Sequence, residues 1–483
     1  MTARWTSLLG VFSPAGLLLA LLLPQLGADP VAGVSFSNSP FTDEAWNVMG
    51  ARNWVLLGDW SAGNWALHIV QLPFDVLEAA AFLLLGVGIE QARLVAALCS
   101  IVTVALVTLL VRRRLGTAAG LIAGLGLAGT GLVLYYGHLV YVETLVMLAL
   151  VAGAWVLCWR PPGAERATAI LAGSLLAVAI GTKPSAAFAA VGVLVGVALA
   201  MRSRRWTNRT LLAAGAMALL GLAWGVVIAL PHPERVGWVL DIWASQSPPR
   251  DVGGLLDRIL RFPVSDDGFL LMSLPLVVGG VLGLIAAIAR WSSLDDAQRA
   301  LAGAAIGWLA VGLGVLLVAS YRPNRYAVPL LPALAILTAY LVPAAEAGLR
   351  RLRAPRLALP LAVAAAALLV IPGLVMHTGW ATSATSRLPA IQAEVAAAMD
   401  GRPVEGGLSG LFAMRAPVPI YIRWSTSEVN TGDLYAEAGI RWLVMASAYS
   451  PTWADEHAEA WQGRRKVLCY EWGRGTHCLV RVP

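Results

Sequence analysis

The chain has 483 residues, is 58% hydrophobic and 13% charged, and has a mean hydropathy of +0.71. Soluble globular domains carry about 25% charged residues, so the composition excludes a soluble protein and points to a polytopic membrane protein. The formal net charge of +7 is a topology signal and not a nucleic-acid signal, because the basic residues gather in short clusters between apolar runs.

A first apolar run spans about residues 7–26. It has the look of a signal peptide, with Gly27-Ala28 as a cleavage region, but in so apolar a chain it reads better as a retained span. Residues 28–91 then form a loop outside the bilayer. The stretch FTDEAWNVMGARNWVLLGDW, within Ser37–Trp60, predicts an amphipathic helix from about Asp43 to Leu57. It carries two adjacent carboxylates, Asp43 and Glu44. Acids beside a membrane span are costly to hold near hydrocarbon and invite a functional explanation. The alternative is a helix start, with Thr42 as cap and the acids at the positive end of the helix dipole. The next apolar stretch, Ala66 to Val87, carries His68, Gln71, Pro73, Asp75 and Glu78. That polar content suits a surface-lying helix pair better than a span.

Further runs follow at about 92–111, 117–134, 143–159, 168–182, 184–201, 210–230, 269–289, 300–320, 327–345 and 357–376. Most approach the roughly 20 residues needed to cross a bilayer, which with the first run makes about eleven spans. With a cytoplasmic N-terminus, the inner loops hold Arg112–Arg114, Arg160 and Arg166, the Arg202–Arg209 cluster, Arg290 and Arg299, and the Arg350–Arg356 cluster. The alternate loops hold the acids and aromatics, so the positive-inside rule is satisfied at every loop. Arg202-Ser203-Arg204-Arg205 and Arg350-Arg351-Leu352-Arg353 read as solvated cytoplasmic loops and not as nucleic-acid contacts.

An odd span count puts the tail, 377–483, on the outer face. There Leu388 to Met399 predicts an amphipathic helix, Pro419 to Ile422 and Ile440 to Met445 predict strands, and a helix is expected near Asp433–Ala438. Cys99 and Cys158 fall inside apolar runs and read as packing residues. Cys469 and Cys478 are different. In KVLCYEWGRGTHCLVRV a two-residue Gly473-Arg474 loop pairs Trp472 with Gly475, and counting outward pairs Cys469 with Cys478 at a non-hydrogen-bonded position. A cross-strand disulfide there requires an oxidising compartment; the alternative is two free thiols or a metal pair.

The polar outer-face positions collect into a pattern. Asp43, Glu44, Arg52 and His68 lie in the first loop. Arg93, Tyr135, Tyr136, His138 and Glu143 flank the following spans, and Lys183-Pro184 and Tyr321-Arg322-Pro323-Asn324-Arg325-Tyr326 flank later ones. Lys183 interrupts apolar sequence and must pair with a ligand phosphate or with a protein carboxylate such as Glu143. Arg322 and Arg325 either hold phosphate through their forks or snorkel to lipid headgroups. Taken together, they describe an outward-facing cavity with carboxylates on one wall and cations on another.

These stretches, in this order, resemble the C-type (GT-C) polytopic glycosyltransferases, in the branch of protein O-mannosyltransferases and lipid A aminoarabinose transferases. FTDEAWNVMGARNWVLLGDW is similar to that branch's first-loop Asp-Glu helix, and HIVQLPFDVLEAAAFLLLGVG to its second loop helix. GIEQARLVAAL, YYGHLVYVETLVMLAL, GTKPSAAF and YRPNRYAVPLLPALAIL resemble the later motifs. The resemblance implies an all-α membrane domain over 1–376, which includes loop 28–91, followed by a small extracytoplasmic α/β domain over 377–483. It implies transfer of a sugar from a polyprenyl-phosphate donor to an acceptor hydroxyl, with inversion, at the outer face of the cytoplasmic membrane. Asp43 would act as general base with Glu44 in support, Lys183, Arg322, Arg325 and Tyr326 would contact donor phosphate, and Arg52 and His138 would orient Asp43 or the phosphate. No catalytic metal is implied, although a divalent cation stays open, and no nucleic-acid partner is expected. Two positions depart from the branch: Trp46-Asn47 stand where basic or Tyr residues follow the Asp-Glu pair, and His68-Ile69-Val70 replaces a His-Pro-Pro stretch. The main rival reading is a transporter or flippase of lipid-linked sugars, and the second a non-catalytic assembly protein that binds through its tail.

Overall fold

The structure, a computed structural model, describes residues 13–29, 43–65, 68–159, 163–201, 203–234, 236–237, 253–254, 256, 269–319, 323–421, 434–446, 454–472 and 475–483. Backbone packing divides the chain into two units. The first is Met1–Leu23, Ala96–His138 and Val142–Gly379; the second is Pro24–Val95, Leu139–Tyr141 and Trp380–Pro483.

Among the described residues, eight helices are long and apolar enough to cross a bilayer: His68–Leu85, Ile89–Leu115, Glu165–Thr182, Arg204–Ala229, Met272–Ala289, Asp296–Val318, Asn324–Arg351 and Pro355–Ser383. Four shorter apolar helices are Ser13–Gln25, Thr117–Ala128, Glu143–Cys158 and Ala186–Ala200. Each of the eleven expected runs falls on one of these twelve, and His68–Leu85 is the remaining one. The chain is a multi-pass membrane protein with a small sheet domain at its C-terminal end.

In the first unit the closest helix pair is Ala186–Ala200 against Asp296–Val318. Gly192 and Gly196 face Gly307 and Gly303, and a Cβ at any of the four would collide with the opposite backbone. In a solvent as apolar as the side chains, small residues that let backbones approach supply the packing energy. Two expected runs are interrupted. The run at 117–134 is two helices, Thr117–Ala128 and Gly131–Tyr136, because Thr130 is extended (ψ 127°). The run at 327–345 begins as a 3-10 turn, Asn324–Leu330, which contains Pro329. One basic residue of the cluster expected in a cytoplasmic loop is buried. Arg209 donates to the carbonyls of Val156, Leu157 and Trp159 at 2.6–2.8 Å, closing the C-terminal end of helix Glu143–Cys158, where a cation complements the dipole.

In the second unit the predicted Asp43–Leu57 helix is two pieces, Glu44–Asn47 and Met49–Leu57, separated at Val48. Helix His68–Leu85 is kinked at Gln71, just before Pro73, where the missing N–H and ring clash break the ladder. Its amphipathicity is reversed relative to a water-facing helix. Gln71, Asp75 and Glu78 are buried while Val76, Leu77, Leu83, Leu84 and Leu85 are exposed, the arrangement that suits an outer surface of lipid.

The tail forms a five-stranded sheet of β1 (Val404–Glu405), β2 (Ile420–Tyr421), β3 (Trp442–Ala446), β4 (Arg465–Trp472) and β5 (Gly475–Arg481) in the order β2-β1-β3-β5-β4. β1 runs parallel to β2 and β3, whereas β5 is antiparallel to β3 and β4. Leu388–Ala398 is a helix, as expected. The β4–β5 register pairs Trp472 with Gly475 and Cys469 with Cys478, and the two cysteines form a disulfide. Cys99 and Cys158 are buried free thiols.

The first loop and the tail are fastened together inside this unit. Asp29 accepts from the backbone N–H of Arg387 and Leu388 at 2.9–3.1 Å and from the Thr385 hydroxyl at 2.5 Å. A loop carboxylate thus caps the tail helix, whose first N–H groups have no partner within it. Gln392 of that helix accepts from the N–H of Ile89, at the start of helix Ile89–Leu115. Asp29→Ala is expected to lower the stability of this unit by about 1–2 kcal/mol, with Asp29→Asn closer to wild type. Limited proteolysis of the tail in detergent measures it, and protection equal to wild type in Asp29→Ala would remove the capping role.

Candidate active site

The residues singled out by sequence form two clusters, one in each unit. In the second unit Asp43 occupies the N-cap position of Glu44–Asn47 and is partly exposed, with no capping hydrogen bond from its side chain. Its carbonyl accepts the N–H of Asn47, so the helix begins at the acid pair. Thr42, the expected cap, lies outside the described residues.

Glu44 has a different environment. Both Glu44 and Arg93 have fully buried side chains, and they form a two-pronged ion pair: Nε to Oε1 at 2.7 Å and Nη2 to Oε2 at 2.8 Å. Glu44 Oε1 also accepts the N–H of Val140 at 3.0 Å. Arg93 Nη1 donates to the carbonyls of Leu26 and Ala28. Four segments distant in sequence therefore meet at one pair. Glu44 is a clamp on the backbone that carries Asp43, and this geometry gives it no free oxygen for acceptor chemistry. The sequence pointed to Arg93 without a role for it; its place at the outer end of the second span gave no hint of which acid it would meet.

Asn47 and Trp46, which break the branch's pattern, are both buried. Asn47 donates to Val140 O at 2.7 Å and its carbonyl accepts from Gln71 at 2.6 Å. Trp46 packs on Trp65, with ring centroids 5.3 Å apart. His68 is buried beside the Trp60 ring, 6.3 Å between centroids. Asp75 accepts from Gln71 at 3.2 Å and from the Ala51 backbone.

Arg52, expected to orient Asp43 or phosphate, is spent elsewhere. It donates from Nε to Met414 O at 3.1 Å, from Nη2 to Ala416 O and from Nη1 to Asn53 Oδ1 at 2.7 Å. Burial pulls its guanidinium down to about 9, which leaves it charged at neutral pH. It fastens helix Met49–Leu57 to the tail segment before β2.

The second cluster lies in the first unit. Glu143 opens helix Glu143–Cys158 and Lys183 caps helix Glu165–Thr182 in an extended conformation. Lys183 Nζ is 2.5 Å from Glu143 Oε1, and Arg325 Nε is 3.9 Å from the same oxygen. The Lys183 ammonium lies 3.5 Å from the Tyr326 ring centroid and the Arg325 guanidinium 5.5 Å from it. An ammonium over an aromatic face gains electrostatic energy and loses freedom of position. Three expected phosphate contacts, Lys183, Arg325 and Tyr326, are thus gathered, together with the carboxylate named as Lys183's alternative partner. Arg322 lies outside the described residues. His138 is buried in the turn between Gly131–Tyr136 and Glu143–Cys158. Among the described residues no three His, Cys, Asp or Glu side chains gather as a metal-ligand group.

Residues 74–228 match the family model for dolichyl-phosphate-mannose-protein mannosyltransferases. No curated protein matches the chain by sequence. Among solved structures, the chain is similar to ArnT from Cupriavidus metallidurans, in the apo state and bound to undecaprenyl phosphate. The similarity covers 100% of this chain and 98% of that one, with 17% identity and a TM-score of 0.67. It is also similar to the Archaeoglobus fulgidus oligosaccharyltransferase, at 11% identity over 91% of this chain and 69% of that one with a TM-score of 0.60. A mycobacterial arabinofuranosyltransferase, AftD, matches at 18% identity and a TM-score of 0.55, over 100% of this chain and 40% of that one. The chain has the GT-C fold of the polytopic membrane glycosyltransferases.

Removing one partner of a buried ion pair leaves the other charge uncompensated, at about 3–5 kcal/mol. Arg93→Met is therefore expected to destabilise the second unit by that amount, whereas Glu44→Leu combined with Arg93→Met costs less than Arg93→Met alone. Thermal unfolding in detergent decides, and a single variant as stable as wild type would show that the pair does not anchor the unit.

Proposed function

We propose that the protein is a glycosyltransferase that moves a hexosyl or pentosyl group from a polyprenyl-phosphate carrier to an acceptor hydroxyl, with inversion. The acceptor is a glycan, lipid or protein at the outer face of the cytoplasmic membrane, with the N-terminus in the cytoplasm and the tail outside. The observation that carries this reading is the gathering of Lys183, Arg325 and Tyr326 into one cluster in a chain of GT-C fold. The structures of ArnT with undecaprenyl phosphate and of AglB with dolichol-phosphate add support for a lipid phosphate.

The chemistry assigns one task to each cluster. Asp43, the partly exposed member of the acid pair, takes the proton of the acceptor hydroxyl as its oxygen attacks the anomeric carbon. The bond from that carbon to phosphate oxygen breaks on the opposite face, so the anomeric configuration inverts. Polyprenyl phosphate leaves with the bonding electrons, and Lys183 and Arg325 stabilise the charge that develops on it. With two cations assigned to the leaving group the reaction is proposed to need no resident metal; transfer that survives EDTA unchanged is the expected outcome.

General-base catalysis contributes about 10²–10⁴-fold. Asp43→Asn is accordingly expected to fold, insert and lose transfer by about that factor. Lys183→Ala and Arg325→Ala are expected chiefly to raise the KM for donor. The assay supplies a polyprenyl-phosphate sugar and follows release of polyprenyl phosphate. Near-normal transfer by Asp43→Asn sinks the assigned mechanism, and donor movement across vesicles without sugar transfer would favour a flippase.

A further inference from the structure

The end of the tail sheet at which β1, β3 and β4 begin and β5 finishes carries a row of cations. Arg402 lies two residues before β1, Arg441 immediately before β3, Arg465 starts β4 and Arg481 ends β5. These four strands are adjacent in the order β1-β3-β5-β4, so at about 4.8 Å per strand the row is about 14 Å long. Arg464 and Lys466 flank Arg465 and widen it. Side chains alternate along a strand, so Arg465 and Arg481 share one face and Arg441 and Lys466 the other. The charge wraps the rim of the sheet.

Among the described residues, only Arg481 of these six has a carboxylate partner, Asp400 at 2.8 Å. Three of the guanidiniums lie over aromatic rings: Arg464 4.0 Å from the Trp461 centroid, Arg481 5.6 Å from Trp442 and Arg441 5.8 Å from Tyr435. Cations held over rings have less freedom left to lose when a ligand binds. Arg465 and Arg481 are direct cross-strand partners, and like charges placed opposite one another are destabilising. Protection of an edge strand against aggregation accounts for Arg465 and Lys466 on β4. It does not account for Arg402, Arg441 and Arg481, which belong to the strands inside that edge.

The surroundings of the row narrow its occupant. A protein partner needs an apolar centre, and among the described residues 388–483 the only exposed large apolar side chain is Val467. The Cys469–Cys478 disulfide joins β4 and β5 and suits an oxidising compartment, where nucleic acid is not the resident polyanion. The chain leaves helix Pro355–Ser383 near the other end of the sheet, where Arg387 Nη1 donates to Glu471 O at 3.5 Å. From Glu471 to Arg465 the strand runs about 20 Å, so the row is remote from the point at which the chain leaves that helix.

We propose that this rim docks a linear anionic glycan, a polysaccharide with carboxylate or phosphate groups along its length, which the arginine forks grip. Docking needs no sugar transfer, so it stands apart from the donor reading above.

The test uses the full chain in detergent, with oligogalacturonate (one carboxylate per sugar) as the probe, its dissociation constant as the readout and dextran as the neutral control. Wild type is expected to bind oligogalacturonate, more weakly as salt rises, and not dextran. Arg402→Gln combined with Arg465→Gln removes two exposed cations that hold no ion pair and is expected to weaken binding about tenfold at an unchanged Tm. Arg387→Gln, at the other end of the sheet, is expected to bind as wild type does. Failure of wild type to bind, equal binding of dextran, wild-type affinity in the double variant, or an equal loss in Arg387→Gln overturns the proposal. Tighter binding to phosphatidylglycerol vesicles or to a DNA oligonucleotide than to oligogalacturonate also overturns it, in favour of headgroups or of nucleic acid.

Discussion

The ion pair between Glu44 and Arg93 is the constraint on which the second unit depends. Each charge taken out of water costs several kcal/mol, and attraction alone does not reliably repay that. Here the remaining hydrogen-bond capacity is also filled, by Val140 N–H on the acid and by Leu26 and Ala28 carbonyls on the base. The result is a fixed junction of the end of the first apolar helix, the acid-bearing helix, the start of helix Ile89–Leu115 and the 139–141 turn. Asp43 is the residue immediately before this junction. Its backbone is held from one side by a pair that cannot shift without exposing a buried charge. In the proposed mechanism the first acid of the pair does the chemistry, while the structure gives the second the task of holding the chain.

The same logic of spent polar groups runs through the unit. Asp29 caps a helix more than 350 residues away in sequence, Arg52 is consumed by the Met414 and Ala416 carbonyls, and Gln392 satisfies the N–H of Ile89. None of these side chains is available to a substrate. The tail therefore contributes to the setting of the acid-bearing helix through defined hydrogen bonds, and the described parts of the first loop and the tail pack within one unit.

The fold was largely legible in the sequence because its signals are local. Apolar runs near membrane length gave the helices, arginine clusters gave the loops, and the Gly473-Arg474 turn flanked by cysteines gave the hairpin register down to the pair. Partners were not legible. Asp29, Glu44 and Arg52 each find their counterparts through tertiary contacts at separations that periodicity does not encode. Helix His68–Leu85 shows the same limit from the other direction. Its polar residues marked it as unlike an ordinary span, yet pattern alone could not say that Asp75 and Glu78 face inward while Leu83 and Leu84 face out. Arg209 shows the same limit, since its place beside a basic cluster does not reveal the helix end that it closes.

The two clusters place their charges differently. At Glu44 one cation meets one anion, both are fully buried, and the hydrogen bonds to neighbouring backbone complete the pair. Nothing about that arrangement favours a further ligand. At Glu143 the Lys183 ammonium pairs with the carboxylate, the Arg325 guanidinium lies 3.9 Å away, both cations are more exposed than the acid, and the Tyr326 ring lies against them. The sequence alone allowed Lys183 either a protein carboxylate or a phosphate as its partner. The structure pairs it with the carboxylate of Glu143, and the ring of Tyr326 lies against its ammonium.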